Sequence, residues 1–225
     1  MRLSGAFLLN CELFALTLLF ALPLGLVVAF GSMSRCRVLS GAVKTFVWVI
    51  RGTPLMLQII VIYLGPGLLG MNNPWPSGSG GRMVAAVVAF AINYACYFSE
   101  IYRGGIEAVP KGQTEAGRST GLTQAQTMLY IIWPQAFRRM IPPLTNQCII
   151  SLKDTSLLVV IGVGELTRQG QEIIAVNFRA FEVWLTVAIF YLAMTLSISA
   201  VLRYYERKLM IGRRAVPASP SDPQM

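Results

Sequence analysis

The chain has 225 residues, 55% of them hydrophobic and 13% charged, with a mean hydropathy of +0.59. That balance lies far from soluble domains and excludes a fold built on a polar shell. The net charge of +9 is carried between apolar runs, which makes it a topology signal and a poor argument for a nucleic acid partner.

Runs of mostly uncharged residues long enough to cross a bilayer fall at 13–30, about 53–69, 83–102, about 140–163 and 183–202. They predict an all-α membrane protein with five transmembrane helices in one domain, 1–214, and a disordered cytoplasmic tail at 215–225, AVPASPSDPQM. The first run is followed by Arg35-Cys36-Arg37 with no small-x-small cleavage site, so it reads as a retained anchor. Arg51-Gly52-Thr53-Pro54 precedes the second run and Gly65-Pro66-Gly67 lies within it, while the fourth contains Lys153 and Asp154. Broken or tilted helices are expected at both.

Segments 32–51, 103–139 and 203–214 hold most of the lysines and arginines, whereas the other side receives only Arg2, Arg82, Arg168 and Arg179. The basic side is cytoplasmic, so the N-terminus faces out and the C-terminus in. Arg51 reads as a headgroup anchor at a helix end and receives no transport role. Trp75, in the turn-rich NNPWPSGSGG, fits an interfacial aromatic belt. On the outer side, ELTRQGQEIIAVNFRAFE mixes charge with Ile173, Ile174, Val176 and Phe178 and suits a small amphipathic element, either an outer gate or a contact for a partner.

Chemistry motifs are missing. Cys11, Cys36, Cys96 and Cys148 are isolated and histidine is absent, which removes zinc-site spacings and the commonest general base. Neither a GxSxG elbow nor a GxxxxGK[ST] phosphate loop occurs. No catalytic residue, metal or cofactor is expected in this chain.

Between the third and fourth runs lies the long polar stretch 103–139, with EAGRSTGLTQAQTMLYIIWPQ at 115–135. Residues 113–120 suit a short helix, and Gly121 can take the left-handed position that stops it. Thr123 with Gln126 forms a capping-box start, leading into Met128, Leu129, Ile131 and Ile132 until Pro134 ends or kinks the helix. Two short helices meeting at Gly121 make a stiff protrusion able to pass force to the membrane helices, although an ordinary amphipathic loop has the same composition.

Asp154 lies about 14 residues past Met140, about 20 Å along a helix and near the midplane. Ionisable groups at that depth face protein or water, and Ser151, Lys153, Asp154, Thr155 and Ser156 cluster where an interrupted helix could restart. Asp154 or Thr155 could equally cap a half-helix, with Lys153 as ion-pair partner. Asn93, Tyr97 and Glu100 recur at i, i+4 and i+7 on one face, suiting either a zwitterionic solute or interhelical bonding, with Arg103 in reach of Glu100. The substrate-path candidates are Asn93, Tyr97, Asp154, Thr155 and Ser156, with Glu100 nearer the cytoplasmic exit.

Glu115-Ala116-Gly117, then Gly121, Ile131 and Pro134, resembles the EAA loop of ABC importer permeases, whose pattern is EAA, three residues, G, nine residues, I-x-L-P. Gly117 replaces the second alanine and Trp133 the leucine. RGTPLMLQ (51–58), EIYRGGIEAVPKGQ (100–113) and SLKDTSLLVVIGVGELTRQGQ (151–171) resemble the polar amino acid subgroup of those permeases, so the likeness covers nearly the whole chain. It implies a multi-pass bacterial inner-membrane subunit paired with a second permease, identical or different. It also implies two cytoplasmic ATP-binding subunits, which hold ATP and Mg, and an extracytoplasmic amino acid-binding protein. By this resemblance Glu115, Ala116, Gly117, Gly121, Ile131 and Pro134 couple to the ATPase, and GELTRQGQEIIAVNFRAFEVW looks most like glutamine-type permeases. The alternative, a stand-alone secondary carrier or channel, would have only Lys153, Asp154 and Glu100 as an ion relay.

Overall fold

The computed structural model describes residues 2–210, so the expected tail at 215–225 lies outside the described residues. Along the chain come α1 (Arg2–Ser32), α2 (Arg37–Gly52), α3 (Leu55–Leu68), α4 (Ser79–Glu107) and α5 (Lys111–Ser119). Then α6 (Gln124–Gln126) passes through a π-helical turn (Thr127–Ile132) into α7 (Trp133–Asp154), a 3-10 segment (Thr155–Ile161), α8 (Leu166–Asn177) and α9 (Ala180–Met210). Four helical stretches, Leu3–Ser32, Ser79–Glu107, Gln124–Ile161 and Ala180–Leu209, are long and apolar enough to span a membrane. The pair α2 and α3, bent by 104°, makes a fifth if it forms one span.

The second span is broken at its start. Pro54 caps α3 and Thr53 before it is extended, with ψ 145°, because a residue preceding proline is pushed out of helical geometry. Residues 37–52, assigned by sequence to the inner loop, are helical: α2 buries Val47 and leaves Val38, Leu39, Phe46 and Trp48 exposed. Its interspersed cations hid that amphipathic period. Gly65-Pro66-Gly67 breaks nothing, since α3 continues to Leu68 and ends with Gly70 at φ 69°.

The fourth run begins at Gln124 rather than 140, and its interruption is the 3-10 segment, which ends on Gly162 at φ 73°. Pro134 does not end the helix. It lies in the first turn of α7, directly after π-helical backbone in which the Trp133 N–H bonds to the Met128 carbonyl; that looser register lets the helix pass a residue with no donor.

Helix α4 is the central element. Ala86, Ala89, Phe90, Tyr94 and Phe98 are fully buried on it, against Leu13 and Ala21 of α1 and Ile59 of α3. Small residues set the approach: a Cβ at Gly25 would stand 2.8 Å from the Phe98 Cβ, and one at Gly105 would stand 2.3 Å from the Met140 Cγ. Association without a hydrophobic drive depends on such close van der Waals packing.

Candidate functional site

The coupling candidates sit on a braced protrusion. Leu122 N–H bonds to the Gly117 carbonyl at 3.1 Å and Gly121 N–H to that of Arg118 at 3.0 Å, with Gly121 at φ 82°. This is a Schellman stop, and it uses the left-handed glycine the sequence requires. Thr123 and Gln126 complete the capping box: the Thr123 Oγ1 accepts from the Gln126 N–H and the Gln126 side chain accepts from the Thr123 N–H.

Gly117 faces inward with no room for a side chain, because a Cβ there would meet Thr127 Cγ2 at 2.8 Å and Ile131 Cδ1 at 3.0 Å. The departure from the motif's alanine is thus matched by the residues it packs on. Gln135 donates to Gln113 at 3.2 Å, Arg139 to the Ala108 carbonyl, and Arg35 of the α1–α2 turn to Gln124 at 2.8 Å. Ile106, Val109, Ile132, Ala136 and Met140 close an apolar cluster beneath α5. Glu115 and Ala116 are exposed on the outer side of α5, and Glu115 forms no ion pair among the described residues. Ile131 is half-buried and Pro134 exposed.

The substrate-path candidates bond to separate sets of partners, although the Tyr97 ring lies 6.3 Å from that of Tyr94, which holds Asp154. Asn93, 3% exposed, donates to Gln58 Oε1 at 2.9 Å, and the Gln58 amide donates to the Ile50 carbonyl and to both oxygens of Thr53. Two turns along α4, Glu100 meets Arg51 at 3.5 Å and Arg103 at 2.6 Å, while the Arg51 guanidinium lies 5.1 Å from the centre of the Tyr97 ring. The face carrying Asn93, Tyr97 and Glu100 therefore clamps the α2–α3 corner to α4 on both sides of its bend. Arg51, assigned only to headgroups by the sequence, is part of that clamp.

Asp154 pairs instead with Tyr94, whose hydroxyl donates to Oδ2 at 2.5 Å. Asp154 makes no side-chain cap, and among the described residues no ion pair joins it to Lys153. Lys153 is exposed and lines an open pocket of 520 Å³ with Ser156, Tyr191, Leu192 and Thr195. Ser156 donates to the Lys153 carbonyl at 2.9 Å. Thr155, fully buried, donates to the Leu152 carbonyl at 2.7 Å and accepts from Asn10 at 3.0 Å.

Asn10 opens a network that the sequence reading missed. It donates to Tyr191 Oη at 2.9 Å and accepts from the Leu166 N–H, and Tyr191 donates to Glu165 at 2.9 Å. Glu165, with no exposed surface, caps α8 by accepting from the N–H groups of Thr167 at 2.7 Å and Arg168 at 2.8 Å. Burial pushes its carboxyl above the ordinary range, and the bonds from Thr167, Arg168 and Tyr191 pull it back. The network ties α1, the 3-10 segment, α8 and α9 together. Isolated polar residues in or just before apolar runs, Asn10, Gln58, Tyr94 and Tyr191, were the available signal.

Residues 21–211 match the family described as binding-protein-dependent transport system inner membrane component. The glutamine transport system permease protein GlnP of Escherichia coli K12 is 46% identical over 190 residues, covering 84% of each chain. The L-cystine transport system permease protein TcyB of Bacillus subtilis 168 is 40% identical over 92% of this chain and 86% of its own. A crystal structure of an amino acid ABC transporter superposes with a TM-score of 0.82 at 38% identity, over 91% of this chain and 94% of that one. The chain belongs to the binding-protein-dependent transport system inner membrane component family, and is a multi-pass inner-membrane permease component of an ABC transporter.

Proposed function

We propose that this chain is the permease subunit of an importer for a polar amino acid, glutamine or one close to it, delivered by an extracytoplasmic binding protein. The observation that carries this reading is the 46% identity to a glutamine permease over most of both chains. The N-terminus faces out and the C-terminus in, as the lysine and arginine distribution supports. Two cytoplasmic ATP-binding subunits hold ATP and Mg, and a second permease subunit completes the path.

In this reading α5 is the element the ATPase moves. Glu115 and Ala116 face the partner, while Gly117, Gly121 and Ile131 hold α5 rigidly on the π-helical turn that runs through Pro134 into α7. A push on α5 reaches Asp154 at the far end of α7, and Tyr94 carries it to α4. Asp154 and Tyr94, with Thr155 and Ser156 at the start of the 3-10 segment, form the substrate-path region, and Asn93, Tyr97 and Glu100 position its neighbouring corner. Alternating access follows if closure of the ATPases swings α7 against α4.

The test is ATP hydrolysis by the complex co-purified with this chain in lipid, with binding protein loaded by each of several amino acids. Stimulation confined to glutamine-like ligands supports the reading. Uptake by this chain with no ATPase bound would replace it with a stand-alone carrier.

A further inference from the structure

A pocket of 450 Å³, apart from α5 and Asp154, opens beside α2 and the last turns of α4, lined by Lys44, Val47, Trp48, Arg51, Glu100 and Arg103. Its cations are unequally satisfied. Arg103 takes Glu100 through two bonds, at 3.2 and 2.6 Å, and reaches Glu107 at 2.7 Å. Arg51 is left with the same carboxylate at 3.5 Å and the face of Tyr97, a fit that leaves most of its fork unused. The Lys44 side chain makes no hydrogen bond or ion pair among the described residues.

These free donors lie beside apolar surface. Trp48 is 76% exposed at the pocket, and Val47 lines it beside the indole. An indole beside Lys44 and the unused part of the Arg51 fork suits a ligand with an anionic head and a hydrocarbon tail, since anionic headgroups attract Lys and Arg at a membrane surface. A small soluble anion would satisfy Lys44 and Arg51 but leave Trp48 in water.

We propose that this pocket binds the phosphate of an anionic phospholipid, with Lys44 and Arg51 as donors and an acyl chain lying along Trp48. The bound phosphate takes up the Arg51 donors that Glu100 leaves unused and so braces the α2–α3 corner against α4. By the charge distribution the lipid belongs to the inner leaflet.

The experiment is native mass spectrometry of the complete transporter complex in detergent, titrated with phosphatidylglycerol, phosphatidylcholine or inorganic phosphate. Lys44→Gln and Trp48→Ala are compared with the parent, and all three are checked by thermal melting. Phosphatidylglycerol should be retained over phosphatidylcholine, and Lys44→Gln should weaken that retention about fivefold, as expected for one cation lost near an anionic surface. Trp48→Ala should weaken lipid retention with the melting temperature unchanged. Equal retention of the two lipids, or parent-like retention by Lys44→Gln, overturns the proposal. Inorganic phosphate occupying the site as well as the lipid does would make it an ion site and overturn the lipid assignment.

Discussion

The hydroxyl of Tyr94 donates a 2.5 Å hydrogen bond to Oδ2 of Asp154, joining the middle of α4 to the last residue of α7. This one bond links the central helix to the helix that begins at the coupling protrusion. It also occupies the carboxylate at the point where α7 gives way to 3-10 backbone.

Tyr94→Phe should leave the packing of α4 intact and remove the hydroxyl from which Asp154 Oδ2 accepts, at a cost of about 1–3 kcal/mol, as for a polar group left without its partner. Both Tyr94→Phe and Asp154→Asn should slow uptake at an unchanged level of membrane insertion. Uptake by Asp154→Asn at the parent's rate and specificity would remove Asp154 from the substrate path.

Gly121→Val forces a β-branched residue to φ 82°, whereas Gly121→Asn introduces one that tolerates that region. The first should keep basal ATP hydrolysis in the complex and lose uptake, and the second should retain both. Normal uptake by the valine variant would show that the stop of α5 is not needed for coupling.

Gly117→Ala restores the residue usual in this motif, yet it should destabilise by about 1–3 kcal/mol, as overpacking does. The added methyl would meet Thr127 Cγ2 at 2.8 Å. Thr127→Ala removes that methyl together with a buried hydroxyl that has no partner among the described residues, so the double variant should melt above Gly117→Ala alone. Strict additivity in the cycle would show that these two positions do not press on each other.

Asn93→Leu leaves Gln58 Oε1 without its donor and should lower stability by about 1–3 kcal/mol. Because the Asn93 amide is bonded to Gln58 at the α2–α3 corner, the preference among amino acids should be kept. A changed preference, measured by competition in uptake, would put Asn93 back in contact with substrate.

Glu165 is a carboxyl whose folded-state pKa is raised, so the folded form binds a proton more tightly than the unfolded one. Its contribution is therefore fully present at low pH and fades as pH rises from the ordinary carboxylate range through the raised value. Melting of the complex should show that slope, and Glu165→Gln should flatten it. An unchanged slope would assign the pH dependence to other groups.

The coupling protrusion was legible because its determinants are local. A left-handed glycine, a capping box and a short polar helix depend on residues a few positions apart, so Gly121 and the Thr123–Gln126 pair could be assigned before any tertiary contact was known. The apolar runs were legible for the same reason: membrane length and lack of charge are properties of a segment. Boundaries were less so. Pro134 looked like an end or a kink, but one missing donor is tolerated where the preceding turn is π-helical, and Asn10 lies ahead of the run at 13–30, in a helix that already begins at Arg2.

What the sequence determined by itself was thus the class, the family resemblance and the turn chemistry between α5 and α6. Only the tertiary structure decided which polar groups share a site. Spacing placed Asn93, Tyr97 and Glu100 on one face of α4 but could not say that this face meets Arg51 and Gln58, or that Asp154 pairs with the neighbouring Tyr94. In a helix, adjacent residues point about 100° apart. Which of them meets a given polar group is therefore decided by where the other helices pack, and that depends on small residues such as Gly25 and Gly105 allowing the close approach.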